Sequence, residues 1–341
     1  LAAIWQEVLQ AKRLGVTDDF FELGGHSFLA AVLMARINQE LGHQLPLGTI
    51  FTAPTVEKLA AVLQQKLEAG SEQSLVPLFG SGTAAPVFLI AGVGGHVFTF
   101  HKFARLLGPE QPTFGVKAIG VDGTRRPPER IEEIAAEYRR EILELGLPGP
   151  YVLCGYSIGA LTALELALQL RAAGHPVGLL VVFDMVAPGY PRKMALPKRL
   201  WVHLRNSVRR DYLLERLRNI RRRVLRRLGL GIYEAPEIEG LEALPQTPLK
   251  RVWAALDVAQ GRYWPRGKFD GPVVLFRAEE AEVWPATVFD DPLMGWGRWT
   301  AGPIETHTVP GGHLEMFHDR NIARIATELK DAMRRLVGGA E

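Results

Sequence analysis

Two patterns of apolar positions divide the chain. Up to about residue 68, apolar residues return every three or four positions: Ile4, Trp5, Val8 and Leu9 share one helical face, and Phe28, Leu29, Val32, Leu33 and Ile37 share another. A third helix is predicted over about 56–67, with Thr55 as its N-cap. Turn-prone Gly24-Gly25 and Thr52-Ala-Pro-Thr55 separate the three, so 1–68 reads as a small all-α bundle. The polar stretch Ala69-Gly-Ser-Glu-Gln-Ser74 follows, and 69–76 is the expected linker. Over 77–341 the pattern changes to short β-branched runs between helical stretches. Strands are predicted at 87–90, 113–116, 151–154, 179–183, 273–276 and 304–309, and helices at about 130–145 and 158–173. That alternation implies an α/β unit: a mostly parallel sheet with helices on both faces. One interruption stands out. Over about 190–249, Leu200, Leu204 and Val208 and then Leu213, Leu217, Ile220 and Val224 keep helical spacing, so this reads as an inserted amphipathic helical segment rather than sheet.

Composition narrows the class. At 47% hydrophobic and 23% charged residues, with a mean hydropathy of +0.03, collagen-like, low-complexity and wholly disordered readings are excluded. The longest apolar runs, such as 178–183, fall far short of the roughly 20 residues of a membrane-spanning helix, and no charged-then-apolar leader is seen, so the expectation is a soluble cytoplasmic protein with no membrane partner. A single cysteine, Cys154, leaves no internal disulfide and no cysteine-built zinc site, and no metal is expected. The net charge of +3 is unevenly spread: residues 192–227 carry 14 Lys/Arg against Asp211 and Glu215. That charge reads as a solvated face, or as an attraction for an acidic domain or phosphate; with Trp201 and Tyr212 as the aromatics present, nucleic acid is not an expected partner. Because the chain opens at Leu1 inside an amphipathic pattern, it is expected to be a piece of a longer protein.

The strongest chemical feature is Gly155-Tyr-Ser157-Ile-Gly159, between a predicted strand and a predicted helix. A GxSxG in that context makes a tight turn that presents its serine at the sheet edge, with a helix N-terminus beneath developing negative charge. A serine nucleophile needs a base, and the base an orienting acid. Of nine histidines, His313 in Val309-Pro-Gly-Gly-His313 follows the last predicted strand on a glycine turn that can lift the ring over the sheet edge. The acid stays open between Asp184, after the strand at 179–183, and Glu279 or Glu280, after the strand at 273–276; each lies at a strand's carboxyl end, where open α/β sheets bind ligands. Oxyanion donors are expected from the backbone of Ile158 and of the loop Ala91-Gly-Val93-Gly-Gly95.

A second motif, Asp18-Asp-Phe-Phe-Glu-Leu-Gly-Gly-His-Ser27-Phe-Leu, sets Ser27 at a helix start, where physics alone favours a capping role. The motif resembles the attachment segment of carrier (thiolation) domains in nonribosomal peptide synthetases, whose serine bears 4'-phosphopantetheine; the likeness runs over 1–68 and includes Phe51-Thr-Ala-Pro54-Thr. From about Val76 to Leu336 the chain resembles a type I thioesterase domain of the α/β-hydrolase fold, through the 155–159 turn, Phe183-Asp184-Met-Val-Ala-Pro188, Tyr263-Trp-Pro265, Gly295-Trp296 and Val309-Pro-Gly-Gly-His313. The resemblance implies Ser157 as nucleophile, Asp184 rather than the glutamates as acid, His313 as base, Val93 and Ile158 as oxyanion donors and 190–249 as a helical lid. Gly312 departs from the family, many of whose members have aspartate there. It also implies phosphopantetheine on Ser27, put there by a phosphopantetheinyl transferase, and upstream synthetase domains: an adenylation domain, with or without condensation. An acyl or peptidyl thioester would pass to Ser157 and leave by hydrolysis or cyclisation. Two alternatives stay open, a releasing domain that joins two acyl units and a stand-alone serine esterase with a docking bundle.

Overall fold

The computed structural model describes residues 1–11, 14–41, 45–60, 62, 73–95, 97, 99–194, 248–280 and 287–336. In the N-terminal bundle, α1 (Ala2–Leu9) and α2 (Ser27–Leu41) pack with the short α3 (Thr49–Thr52) and a helical stretch at 56–60. Their apolar faces meet in one core in which Trp5, Phe20, Leu33 and Ile37 are fully buried. Trp5 meets Phe20 edge-on at 5.3 Å. Thr55 Oγ1 accepts the Lys58 N–H at 3.1 Å, the side-chain cap expected from the sequence. Phe28 does not join the buried face: it is 71% exposed, because the helix turns residue 28 outward while Leu33 and Ile37 point in.

The remainder is built on a seven-stranded sheet in the order β1-β3-β2-β4-β5-β7-β9. These are β1 (Leu75–Phe79), β2 (Val87–Ile90), β3 (Thr113–Val116), β4 (Tyr151–Tyr156), β5 (Val177–Phe183), β7 (Val273–Ala278) and β9 (Ile304–Val309). All neighbours run parallel except β1, antiparallel to β3 at one edge. β2 and β4 are buried on both faces, which is why they read as unbroken apolar runs. Side-chain alternation deals their residues to two separate cores. Phe88, Ile90, Leu153 and Leu180 face α5 (Ile131–Glu144) and α6 (Gly159–Ala172), whereas Val87, Leu89, Val152 and Val181 face α4 (Thr99–Leu107) and α8 (Asp319–Leu336). α6 is buried nearly all round, as suits a helix lying centrally over a sheet. Cys154 sits in the second core, and burial pushes its thiol pKa far up.

Two expectations are corrected. β1 begins at Leu75, inside the stretch read as linker, because the buried carboxylate of Glu141 accepts the N–H groups of Ser74 and Leu75 at 2.7 and 3.0 Å and anchors the strand. At the start of the inserted segment, β6 (Arg192–Lys193) pairs antiparallel with β8 (Thr287–Val288), so this end is a small ribbon rather than helix. At the far end α7 (Pro248–Arg262) is helical past the expected limit; residues 195–247 of the expected lid lie outside the described residues. No helix among the described residues is long and apolar enough to cross a membrane.

Candidate active site

Ser157 stands between β4 and α6 with φ +54°, a left-handed conformation that costs a non-glycine residue energy and persists because its surroundings hold it. Its N–H donates to Phe183 O at 3.0 Å. The flanking glycines are required by close approach. A Cβ on Gly155 would lie 2.3 Å from Ala160 Cα, and one on Gly159 would lie 2.6 Å from the carbonyl oxygens of Ile90 and Ala91. The loop after β2 comes equally near: a Cβ on Gly92 would sit 3.1 Å from Ser157 Cβ. Among the described residues the N–H groups of Val93 and Ile158, both lining the cavity beside Ser157, have no backbone acceptor.

Asp184 follows β5 directly, also at positive φ (+48°), with its N–H on Phe276 O. The turn aims its carboxylate across the sheet edge. Oδ1 accepts the Ala278 N–H from β7, and Oδ2 lies 2.8 Å from His313 Nδ1. An ionised carboxylate can only accept, so Nδ1 carries the hydrogen and Nε2 of the neutral ring is left as a lone pair. His313 itself follows β9 on a turn in which Gly311 has φ +87°. Glu315 closes that turn by accepting the Gly312 N–H at 3.0 Å and pairing with Arg320; the Gly312 bond first, then Arg320, hold its carboxyl below the usual range.

Tyr156 braces the same histidine. Its ring is stacked on the imidazole at 5.1 Å and 16°, and its hydroxyl donates to His313 O at 2.9 Å. Burial, then the charge of Asp184, push the phenol pKa far up, so it stays a donor.

Ser157, Asp184 and His313 line one cavity of about 560 Å³. Among the described residues no hydrogen bond joins Ser157 to His313. Glu279 and Glu280 are exposed and outside the lining; their N–H groups bond to Val309 O and Gly311 O. His307 is held between Glu305 and Glu328 and stacks on Phe276, away from the cavity. Tyr156, Tyr190, Arg277 and Asp291 belong to the site although the sequence pattern assigns them no role; of these, Tyr156 had a signal in its place within the GxSxG and Arg277 in its place at the end of the predicted strand 273–276.

In the bundle, Ser27 is the exposed first residue of α2. A Cβ on Gly25 would fall 2.4 Å from the Phe20 ring, and Gly24 has φ +92°, so both glycines are needed to bring the chain over the core and present the serine. A hydroxyl open to solvent at a helix start fits covalent attachment of a phosphate-linked group.

A family model described as a thioesterase domain matches residues 85–332, and one described as a phosphopantetheine attachment site matches residues 1–63. A dimodular nonribosomal peptide synthase of Bacillus subtilis is 30% identical over 96% of this chain and 14% of its own length. An indigoidine synthase of Dickeya dadantii is 41% identical over 56% of this chain and 12% of its own length. The chain thus spans a small fraction of these relatives. Among solved structures, a four-domain nonribosomal peptide synthetase bound to AMP and glycine aligns with a TM-score of 0.58 at 23% identity, over 96% of this chain and 25% of that one. The RedJ thioesterase of the prodiginine pathway in Streptomyces coelicolor aligns with a TM-score of 0.51 at 24% identity, over 74% and 91%. Both share the fold.

Proposed function

Because the chain belongs to the thioesterase domain family and carries a phosphopantetheine attachment domain ahead of that domain, we propose that it is the carrier and releasing end of a nonribosomal peptide synthetase. In this reading 1–68 is the carrier and the thioesterase extends to residue 341 from β1, whose start at Leu75 ends the linker that the sequence places at 69–76. Ser27 would hold phosphopantetheine, which when bound supplies a thiol that carries the acyl group as a thioester. A phosphopantetheinyl transferase and upstream synthetase domains are the implied partners, and the cytoplasm, where coenzyme A is available, is the implied site; the free, buried Cys154 agrees with a reducing compartment.

The reading rests on one observation: the 2.8 Å contact of His313 Nδ1 with Asp184, facing the same cavity as a serine held on a strained turn. Ser157 Oγ attacks the thioester carbonyl while His313 Nε2 takes its proton, and Asp184 stabilises the imidazolium. The N–H groups of Val93 and Ile158 receive the oxyanion. As the tetrahedral centre collapses, the C–S bond breaks and His313 returns the proton to the departing sulfur, leaving an ester on Ser157. Water, or an amine or hydroxyl within the acyl group, then attacks that ester with His313 again as base, giving an acid or a ring.

Intact-protein mass after loading Ser27 with a model acyl-phosphopantetheine tests this. The acyl mass should appear on both the unmodified protein and Ser157→Ala and disappear only from the former. Release by the variant, or a Ser27 that never takes the load, would sink the reading.

A further inference from the structure

Among the described residues lining the cavity, Arg277 is the one Lys or Arg. It comes from β7, one residue before the Ala278 N–H that holds Asp184. Among the described residues its guanidinium is poorly compensated. Nε is sealed from solvent with no hydrogen-bond partner, Nη1 reaches Pro292 O at 3.4 Å, and no described carboxylate lies within ion-pair range. The other acids of the cavity are spoken for: Asp184 is bound to His313 and Ala278, Asp291 accepts the N–H groups of Leu293 and Gly295 at 2.9 and 3.0 Å, and Asp290 has a partner of its own. A partly desolvated guanidinium left without an anion gains more from a carboxylate than a hydrated one, and its planar fork suits two carboxylate oxygens.

We propose that Arg277 is a specificity-determining residue that binds a carboxylate carried by the acyl group, so that the releasing site favours acidic acyl chains. The inference rests on the function proposed above. Its geometry is independent of the reacting atoms: Arg277 holds its place through backbone pairing with Thr308 on β9, and Ala278, not Arg277, supplies the N–H to Asp184.

The test uses the full chain and two N-acetylcysteamine thioesters of nearly equal shape, one of glutaric acid with its second carboxylate free and one of its neutral monoamide. For the unmodified protein kcat/KM should favour the acid by roughly tenfold or more, the scale of one charge-assisted contact. Arg277→Gln should bring the ratio to about one, and Arg277→Lys, keeping charge without the fork, should fall between. Binding of the same pair to Ser157→Ala, with and without Arg277→Gln, reads the contact without turnover. Equal handling of the two thioesters, or a preference that survives Arg277→Gln and Arg277→Lys, overturns the inference while leaving the releasing function intact. Carboxylate-dependent binding that Arg277→Gln abolishes, in a protein that turns over neither thioester, would uphold Arg277 and sink the releasing function.

Discussion

The imidazole of His313 is gripped on its edge by Asp184, on its face by the Tyr156 ring and at its own carbonyl by the Tyr156 hydroxyl. These holds separate experimentally. Asp184→Asn swaps an acceptor for an amide that can force the wrong tautomer, and kcat for thioester release should fall roughly 10³- to 10⁴-fold with KM little changed. Tyr156→Phe keeps the stacked ring and should cost less than about tenfold, whereas Tyr156→Leu removes both holds and should cost roughly ten- to a hundredfold, seen in kcat and its pH profile. Ser157 and His313 were legible in the sequence because each sits at a strand end flanked by glycines. Asp184 was not separable from Glu279 and Glu280 by pattern, since all three follow neighbouring strands; the turn at φ +48° that aims Asp184 inward leaves no mark in spacing. Arg277, Tyr190 and Asp291 join the cavity through contacts across more than one element, which a one-dimensional pattern does not encode.

Between elements, α6 crosses the end of β2 at close range. Gly159→Ala would drive a methyl into the carbonyls of Ile90 and Ala91, so the helix must move off the sheet, at a cost of roughly 1–3 kcal/mol. The denaturant midpoint should fall accordingly, and activity should fall further than stability because Ser157 moves with the helix. The central strands were readable because burial on both faces makes them continuous apolar runs. β1 was not: it is a half-buried edge strand interrupted by Pro77, and proline removes a ladder donor that only an edge can spare. α8 was also missing from the predicted elements, although Ile322, Ile325, Ala326, Leu329, Ala332 and Met333 keep a helical stripe against the second core. Phe28 shows the opposite error, an apolar residue counted into a face that the helix turns outward.

For the whole molecule, acid stability should lean on Asp122. Burial would raise its carboxyl pKa, but bonds from Thr124 and Lys117 outweigh that and hold it at about 2, against an ordinary 3.8. A folded value below the unfolded one gives stability that is full above about pH 4 and is lost as pH falls toward 2, on the order of 2 kcal/mol. Asp122→Asn should therefore lower the unfolding free energy at pH 7 by about that much and flatten its decline between pH 4 and 2, as chemical denaturation across that range would show. The anchoring of β1 by Glu141 has a consequence for any truncated chain. A fragment begun at residue 77 keeps only the end of the strand and discards both N–H groups that Glu141 receives. The outer edge of β3 at Gly115 and Val116 would then lie bare, an open template for pairing with its like in a second molecule. Such a fragment should aggregate on concentration, whereas one begun ahead of Ser74 should stay monomeric.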